Sequence, residues 1–156
     1  MAGSRHLESG FTLLELIVVL AIAAILAVIA VPGFDRLLGD NRLASTYNEI
    51  LAGVRYARST AITRHTEVSM VLEVTGSQSW QLFVRETDAG DENPLLTRIG
   101  SLNGLSMSGR RVTFNELGAL TDCGDQSKSC EFVVTNKATQ DSAGFSISTS
   151  GGIIAQ

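Results

Sequence analysis

The segment from Phe11 to Val31 constrains this chain more than any other part of it. It carries one charged side chain, that of Glu15, and is unbroken apolar sequence beyond that residue. A helix of about 20 apolar residues crosses the hydrocarbon core of a membrane. Arg5 and His6 precede the segment and no basic cluster follows it, so we expect the N-terminus on the cytoplasmic side.

Glu15 is the unusual residue of this segment. A carboxylate at the centre of a membrane helix costs on the order of 2.5–3.5 kcal/mol, so such a residue is a functional candidate. A secretory signal peptide is one alternative, but its apolar region spans roughly 7–15 residues and a small-residue cleavage site follows it. A plain membrane anchor is another alternative, and it has no need of Glu15.

Residues 10–16, with the sequence GFTLLEL, resemble the class III signal of type IV pilins and type II secretion pseudopilins. The resemblance implies that prepilin peptidase cleaves after Gly10 and that Phe11 becomes the N-methylated first residue. It also implies that Glu15 acts in filament assembly, where its partner is the amine of Phe11, on the same helix or on a neighbouring subunit. Pro32 stands where many of these proteins have a proline, and we expect it to kink the helix.

Beyond Pro32 the apolar residues recur every three or four positions. They form one stripe: Leu43, Tyr47, Ile50, Val54, Ala57 and Ala61. This spacing predicts a helix from Phe11 to about Arg64 whose second half is amphipathic and buries the stripe as core. We expect Arg55 and Arg58 to lie on the solvated face.

Two further motifs narrow the resemblance to the GspH/FimT branch. The segment 57–62, ARSTAI, together with Arg64, is similar to the helix of that branch, and so are residues 41–43. Residues 111–118, RVTFNELG, are similar to its hairpin with the pattern V-T-F-N-x-x-G. The implied architecture is α+β, the type IV pilin-like fold, in which a long N-terminal helix packs on a mainly antiparallel β-sheet.

From Thr66 onward the pattern changes from helical to alternating, which indicates strands. We predict strands over residues 68–74, 80–84, 95–99, 111–115, 131–135 and 145–148. The chain then divides into a cleaved leader, a transmembrane or filament-core helix, an amphipathic helix and a periplasmic β domain, over residues 1–10, 11–32, 33–65 and 66–156.

The cysteines and the acidic loop residues are the candidate metal ligands of the sequence. Cys123 and Cys130, the only cysteines, can form one short disulfide in an oxidising compartment, with two free thiols as the alternative. Two cysteines do not complete a zinc site. Two acidic loops lack the ligand spacing of a calcium loop, so we expect solvated turns and no metal or cofactor: Asp88, Asp91 and Glu92, and Asp122 and Asp125.

Catalysis and nucleic-acid binding have little support in the sequence. His65 is expected to complement the C-terminus of the helix, and no catalytic set surrounds it. The net charge of −4 gives no general attraction to DNA. Some FimT-type minor pilins bind DNA through a C-terminal Gly-Arg-x-Arg segment, but here residues 150–156 keep the glycines and lack both arginines. Arg110 and Arg111 are the remaining basic pair, and we expect a strand start there with one exposed side chain.

These observations predict a non-enzymatic structural subunit, a minor pilin or pseudopilin of the GspH/FimT type. It would cross the inner membrane once, be processed by prepilin peptidase and join other pilins in a periplasmic filament. The sequence leaves open whether the filament is a type IV pilus or a type II secretion pseudopilus. The alternative hypothesis, from a different class, is a DNA-binding receptor in natural transformation.

Overall fold

The computed structural model describes residues 11–76, 78–87, 93–124 and 130–156, and of residues 29–32 the backbone alone. The described residues form a helix, α1 (Leu13–Arg64), followed by nine strands: β1 (Val68–Thr75), β2 (Ser79–Glu86), β3 (Leu96–Ser101), β4 (Leu105–Met107), β5 (Arg110–Phe114), β6 (Leu120–Asp122), β7 (Cys130–Asn136), β8 (Ser142–Ile147) and β9 (Ile153–Ala155). The chain divides into two compact units, the first ending at Leu37 and the second running from Leu38 to Gln156.

The first unit contains the N-terminal part of α1. Every side chain from Phe11 to Val28 is exposed, and nearly all of them are apolar. A helix that is apolar around its whole circumference is typical of one that is buried in a membrane or among other chains. In the described part of the chain no single helix qualifies by itself as a membrane span, whereas Leu13–Val28 and Gly33–Arg64 qualify as a pair by length and composition. The kink at Pro32 stays a prediction, because that side chain lies outside the described residues.

In the second unit the predicted stripe of α1 forms the core, as expected. Ile50, Val54 and Ala57 are fully buried or nearly so. A Cβ added at Gly53 would lie 2.6 Å from Cδ1 of Leu82, so the missing side chain allows α1 to approach β2 closely. The helix also packs on the second sheet, where the ring of Tyr47 meets that of Phe145 edge-on at a centroid distance of 5.8 Å.

All strand pairs of the described chain are antiparallel, and they form two sheets: a five-stranded sheet in the order β3-β2-β1-β5-β6 and a four-stranded sheet in the order β4-β7-β8-β9. The predicted α+β class with a long helix on antiparallel sheet is confirmed. Each of the six predicted strands is present, with ends shifted by a few residues. The short strands β4, β6 and β9 were not predicted.

The C-terminal end of α1 has a left-handed cap. His65 follows the last helical residue with φ +50°, and the N–H of Thr66 donates to the carbonyl of Ala61 at 3.3 Å. This is the backbone pattern of a Schellman motif, in which the left-handed position is usually glycine. His65 therefore ends the helix through its backbone conformation.

Candidate functional site: the helix start and the arginine–glycine junction

The N-terminus of α1 is capped by its own sequence. Thr12 precedes the first helical residue, Leu13, and its Oγ1 accepts a hydrogen bond from the backbone N–H of Glu15 at 3.2 Å. Thr followed three positions later by Glu is the capping-box pattern, and an acid in the first turn also interacts favourably with the helix dipole. The helix therefore begins two residues after the expected start at Phe11, because Thr12 is the N-cap.

The predicted processing and assembly residues lie at this helix start. Phe11 is 84% exposed and Glu15 is also exposed. Within the described residues, the Glu15 carboxylate makes no ion pair and accepts no hydrogen bond. Gly10, the predicted cleavage position, lies outside the described residues. Cleavage, methylation and the pairing of Glu15 with an amine therefore stay predictions.

Arg58 joins two segments that are far apart in the sequence. Its Nε donates a hydrogen bond to the carbonyl of Gly118 at 3.0 Å, and its side chain is half-buried. The prediction that Arg58 lies on a solvated face is wrong, because the turns at Gly118 and Gly151 both lie against its guanidinium. Arg55, on the preceding turn of the helix, is exposed as predicted. The two motifs of the GspH/FimT branch are therefore in contact in the structure. We call the cluster of Arg58, Gly118 and Gly151 the arginine–glycine junction.

The turn after β5 is shaped by Asn115. Its Oδ1 accepts hydrogen bonds from the backbone N–H groups of Leu117 at 3.1 Å and of Ala119 at 2.9 Å. Asparagine favours such turns because its side chain can replace a backbone acceptor. Gly118 follows with φ +74°, a conformation that glycine adopts readily. The Asn and Gly of the hairpin motif therefore present the carbonyl that Arg58 binds.

Gly151 completes the junction. It has φ +77°, and a Cβ added there would overlap the carbonyl oxygen of Gly118 and lie 2.9 Å from Nε of Arg58. The backbone N–H of Gly151 donates to the carbonyl of Ser148 at 2.8 Å. The turn at Gly151 has a physical reason, which is the close approach of two backbone turns.

The two arginines that are candidates for DNA binding differ in exposure. Arg110 is half-buried, and its Nη1 lies 3.5 Å from Sγ of Cys123. Arg111 is exposed, so one side chain of the pair faces solvent, as predicted for a strand start. The tail after Gly151 forms β9 and is otherwise apolar or uncharged.

Cys123 and Cys130 are joined by a disulfide, with their Cα atoms 5.7 Å apart. No group of three or more metal-ligating side chains occurs in the described part of the chain. Asp122 accepts a hydrogen bond from the backbone N–H of Gly124 at 3.1 Å, which is the geometry of a local turn. The other acidic loop residues named above, Asp88, Asp91, Glu92 and Asp125, lie outside the described residues.

The fold is shared with a solved minor pilin. Two crystal structures of the type IV minor pilin FimU from Pseudomonas aeruginosa (strain PAO1) are similar to this chain. One has a TM-score of 0.58 at 22% identity and covers 75% of this chain and 90% of that one. The other has a TM-score of 0.55 at 23% identity and covers 73% and 92%. At this identity the likeness shows the fold alone.

Two family profiles match this chain, one near its N-terminus and one from the second half of α1 into the β domain. Residues 5–31 match the prokaryotic N-terminal methylation motif. Residues 46–151, which include the whole arginine–glycine junction, match the profile of the type II transport protein GspH. No curated protein sequence matches the chain. The chain has the type IV pilin fold and belongs to the GspH family, whose members are structural pilin subunits and not enzymes.

Proposed function

We propose that the chain is a minor pilin or pseudopilin that is cleaved after Gly10, methylated at Phe11 and held in the inner membrane until it enters a filament. The observation that carries this proposal is the apolar helix from Leu13 to Val28, whose side chains are all exposed. Such a surface requires lipid or other apolar helices around it. The methylation motif matched at residues 5–31 supports the same reading.

The cap of α1 is compatible with cleavage at Gly10. Its donor and acceptor belong to Glu15 and Thr12, both of which remain in the processed chain. Removal of the leader would leave the helix start intact and create an amine on Phe11, next to the capped turn. An amine and a carboxylate in apolar surroundings each cost several kcal/mol when alone and can neutralise each other. We therefore infer that the Glu15 carboxylate pairs with the Phe11 amine of a neighbouring subunit.

The test of this pairing is Glu15→Val in the full chain. Insertion and processing should continue, because valine suits a membrane helix, whereas recovery in sheared filaments should fall by about tenfold or more, as expected for a lost buried ion pair. Glu49→Val is the matched control, since Glu49 is an exposed acid on the same helix. Equal recovery of the two variants would contradict the pairing.

Processing is tested separately with Gly10→Leu. The prepilin peptidase should no longer shorten the chain, which an immunoblot of the membrane fraction would reveal. A normally shortened product would contradict cleavage after Gly10. The filament is a type IV pilus or a type II secretion pseudopilus, and a deletion scored in parallel for twitching and for secretion distinguishes the two.

A further inference from the structure

The last strand leaves one edge of the second sheet open. β9 pairs with β8, and at its end Gln156 donates a hydrogen bond from its N–H to the carbonyl of Gly144 at 2.9 Å. Backbone groups of successive strand residues point to opposite sides in an antiparallel ladder. The N–H and C=O of Ile153 and Ala155 therefore point away from β8. No other strand of the described chain pairs with this edge.

Two arginines lie beside the open edge. Ile153 pairs with the buried Ile147, so its side chain lies on the face of the sheet that α1 covers. There it borders a surface depression lined by Arg55, Arg58, Ser59, Ile62 and Ile153. Neither arginine forms an ion pair with any residue that the structure describes. The described lining of the depression therefore contains two guanidinium groups and no carboxylate.

One exposed apolar side chain lines the depression, and a second belongs to the turn that packs against the first. Ile62 is 43% exposed and packs against the turn at Gly118. Leu117, the preceding residue of that turn, is 83% exposed. Exposed apolar groups next to arginine are typical of protein interfaces, where arginine is enriched and charged groups of the opposite sign bind it. The unpaired strand edge, the two arginines and the exposed apolar side chains together point to a protein ligand.

We propose that this surface, formed by β9, Arg55, Arg58, Ile62 and Leu117 and called here the β9 surface, binds an extended acidic segment of another pilin-like subunit. The segment adds to the sheet as a strand through the free backbone groups of β9. Its carboxylate binds the guanidinium groups, and an adjacent apolar side chain covers Ile62 and Leu117. This proposal rests on the proposed function, because the partner is a subunit of the same filament.

Nucleic acid fits the β9 surface less well than a protein segment does. Phosphates would bind Arg55 and Arg58 but would leave the strand edge and Leu117 without partners. Two phosphate contacts release few counterions and give little affinity at physiological salt.

The edge strand β3 of the first sheet provides an internal control. β3 borders a groove against α1 that contains both Arg98 and Glu49. These side chains have opposite charges, so the groove has no preference for an anion. Ile99 of β3 is 67% exposed, which makes it comparable to Leu117 in accessibility.

The test is site-specific photo-cross-linking of the full chain in its own bacterium. The photoreactive residue p-benzoylphenylalanine replaces Leu117 in one variant and Ile99 in the control, and the products are identified by mass spectrometry. We expect position 117 to cross-link to a pilin-like subunit, at a segment that contains Asp or Glu, with a clearly higher yield than position 99. Products with nucleic acid only, or with a segment that lacks an acid, would overturn the proposal.

Charge reversal tests the role of the arginines. Arg55→Glu should lower the cross-link yield at position 117 by about tenfold or more, because like charges repel at an interface, whereas Arg55→Lys should largely preserve it. Arg98→Glu, on the other sheet edge, should change nothing. A chain that is processed and enters filaments but shows no cross-link at position 117 overturns this inference and leaves the proposed function standing. A chain that is absent from filaments contradicts both this inference and the proposed function.

Discussion

Replacement of Gly151 by alanine should destabilise the protein through the arginine–glycine junction. Its φ of +77° costs a residue with a Cβ roughly 1–2 kcal/mol. The new Cβ would also overlap the carbonyl oxygen of Gly118, so one of the two turns must move. That movement breaks the hydrogen bond from Arg58, which at a charged donor is worth about 1.5–3 kcal/mol. Because Arg58 is only half-buried, we take the lower part of that range, about 1.5–2 kcal/mol, and expect a total loss of about 2.5–4 kcal/mol.

The matched control is Gly104→Ala. Gly104 has φ +87°, but nothing lies within 4 Å of a Cβ added there. Its substitution should therefore show the backbone cost alone, roughly 1–2 kcal/mol. In an Arg58→Ala background, Gly151→Ala should cost less than in the natural chain, because the hydrogen bond is already absent and the two sites are coupled.

Urea unfolding of the full chain in detergent, followed by tryptophan fluorescence, measures these free energies. Trp80 is the only tryptophan and is 1% exposed, so it reports on the core of the second unit. The midpoint of unfolding should fall while the dependence on urea stays constant. If Gly151→Ala costs no more than Gly104→Ala, the close packing of the junction and the reasoning built on it are refuted.

Three further predictions use the same assay. Asn115→Ala should cost about 1–2 kcal/mol, since two backbone N–H groups lose their acceptor, and an unchanged midpoint would contradict the turn assignment. His65→Gly should stabilise the chain by roughly 0.5–1 kcal/mol, because glycine adopts the left-handed conformation at the helix cap without strain. A lower free energy of unfolding for this variant would contradict the left-handed cap at His65. Reduction of the disulfide between Cys123 and Cys130 should lower the free energy of unfolding by ~2.5 kcal/mol, because the cross-link restricts the unfolded chain. An unchanged free energy of unfolding after reduction would contradict this stabilising role.

The sequence was sufficient to predict the main architecture, because burial imposes a period on each element. The stripe from Leu43 to Ala61 has the spacing of one helical face, and the structure buries it against both sheets. Alternation identified β1 and β2, whose inward side chains are Met70, Leu82 and others of the core. The family motifs likewise indicated the correct branch before any contact was known.

Other features depend on contacts that no local pattern contains. Arg58 has the spacing of a solvated residue, and its burial is caused by Gly118, 60 positions away. Strands of three residues, such as β9, are too short to show alternation. By contrast, the cap at Thr12 and Glu15 has a recognisable capping-box pattern that could have corrected the predicted helix start.

The chain is proposed to be a processed filament subunit, and the intact mass of the chain recovered from sheared filaments measures processing and incorporation together. We expect a chain that begins at Phe11 and carries one added methyl group. A full-length chain that still begins at Met1, found in membranes and absent from filaments, would contradict it.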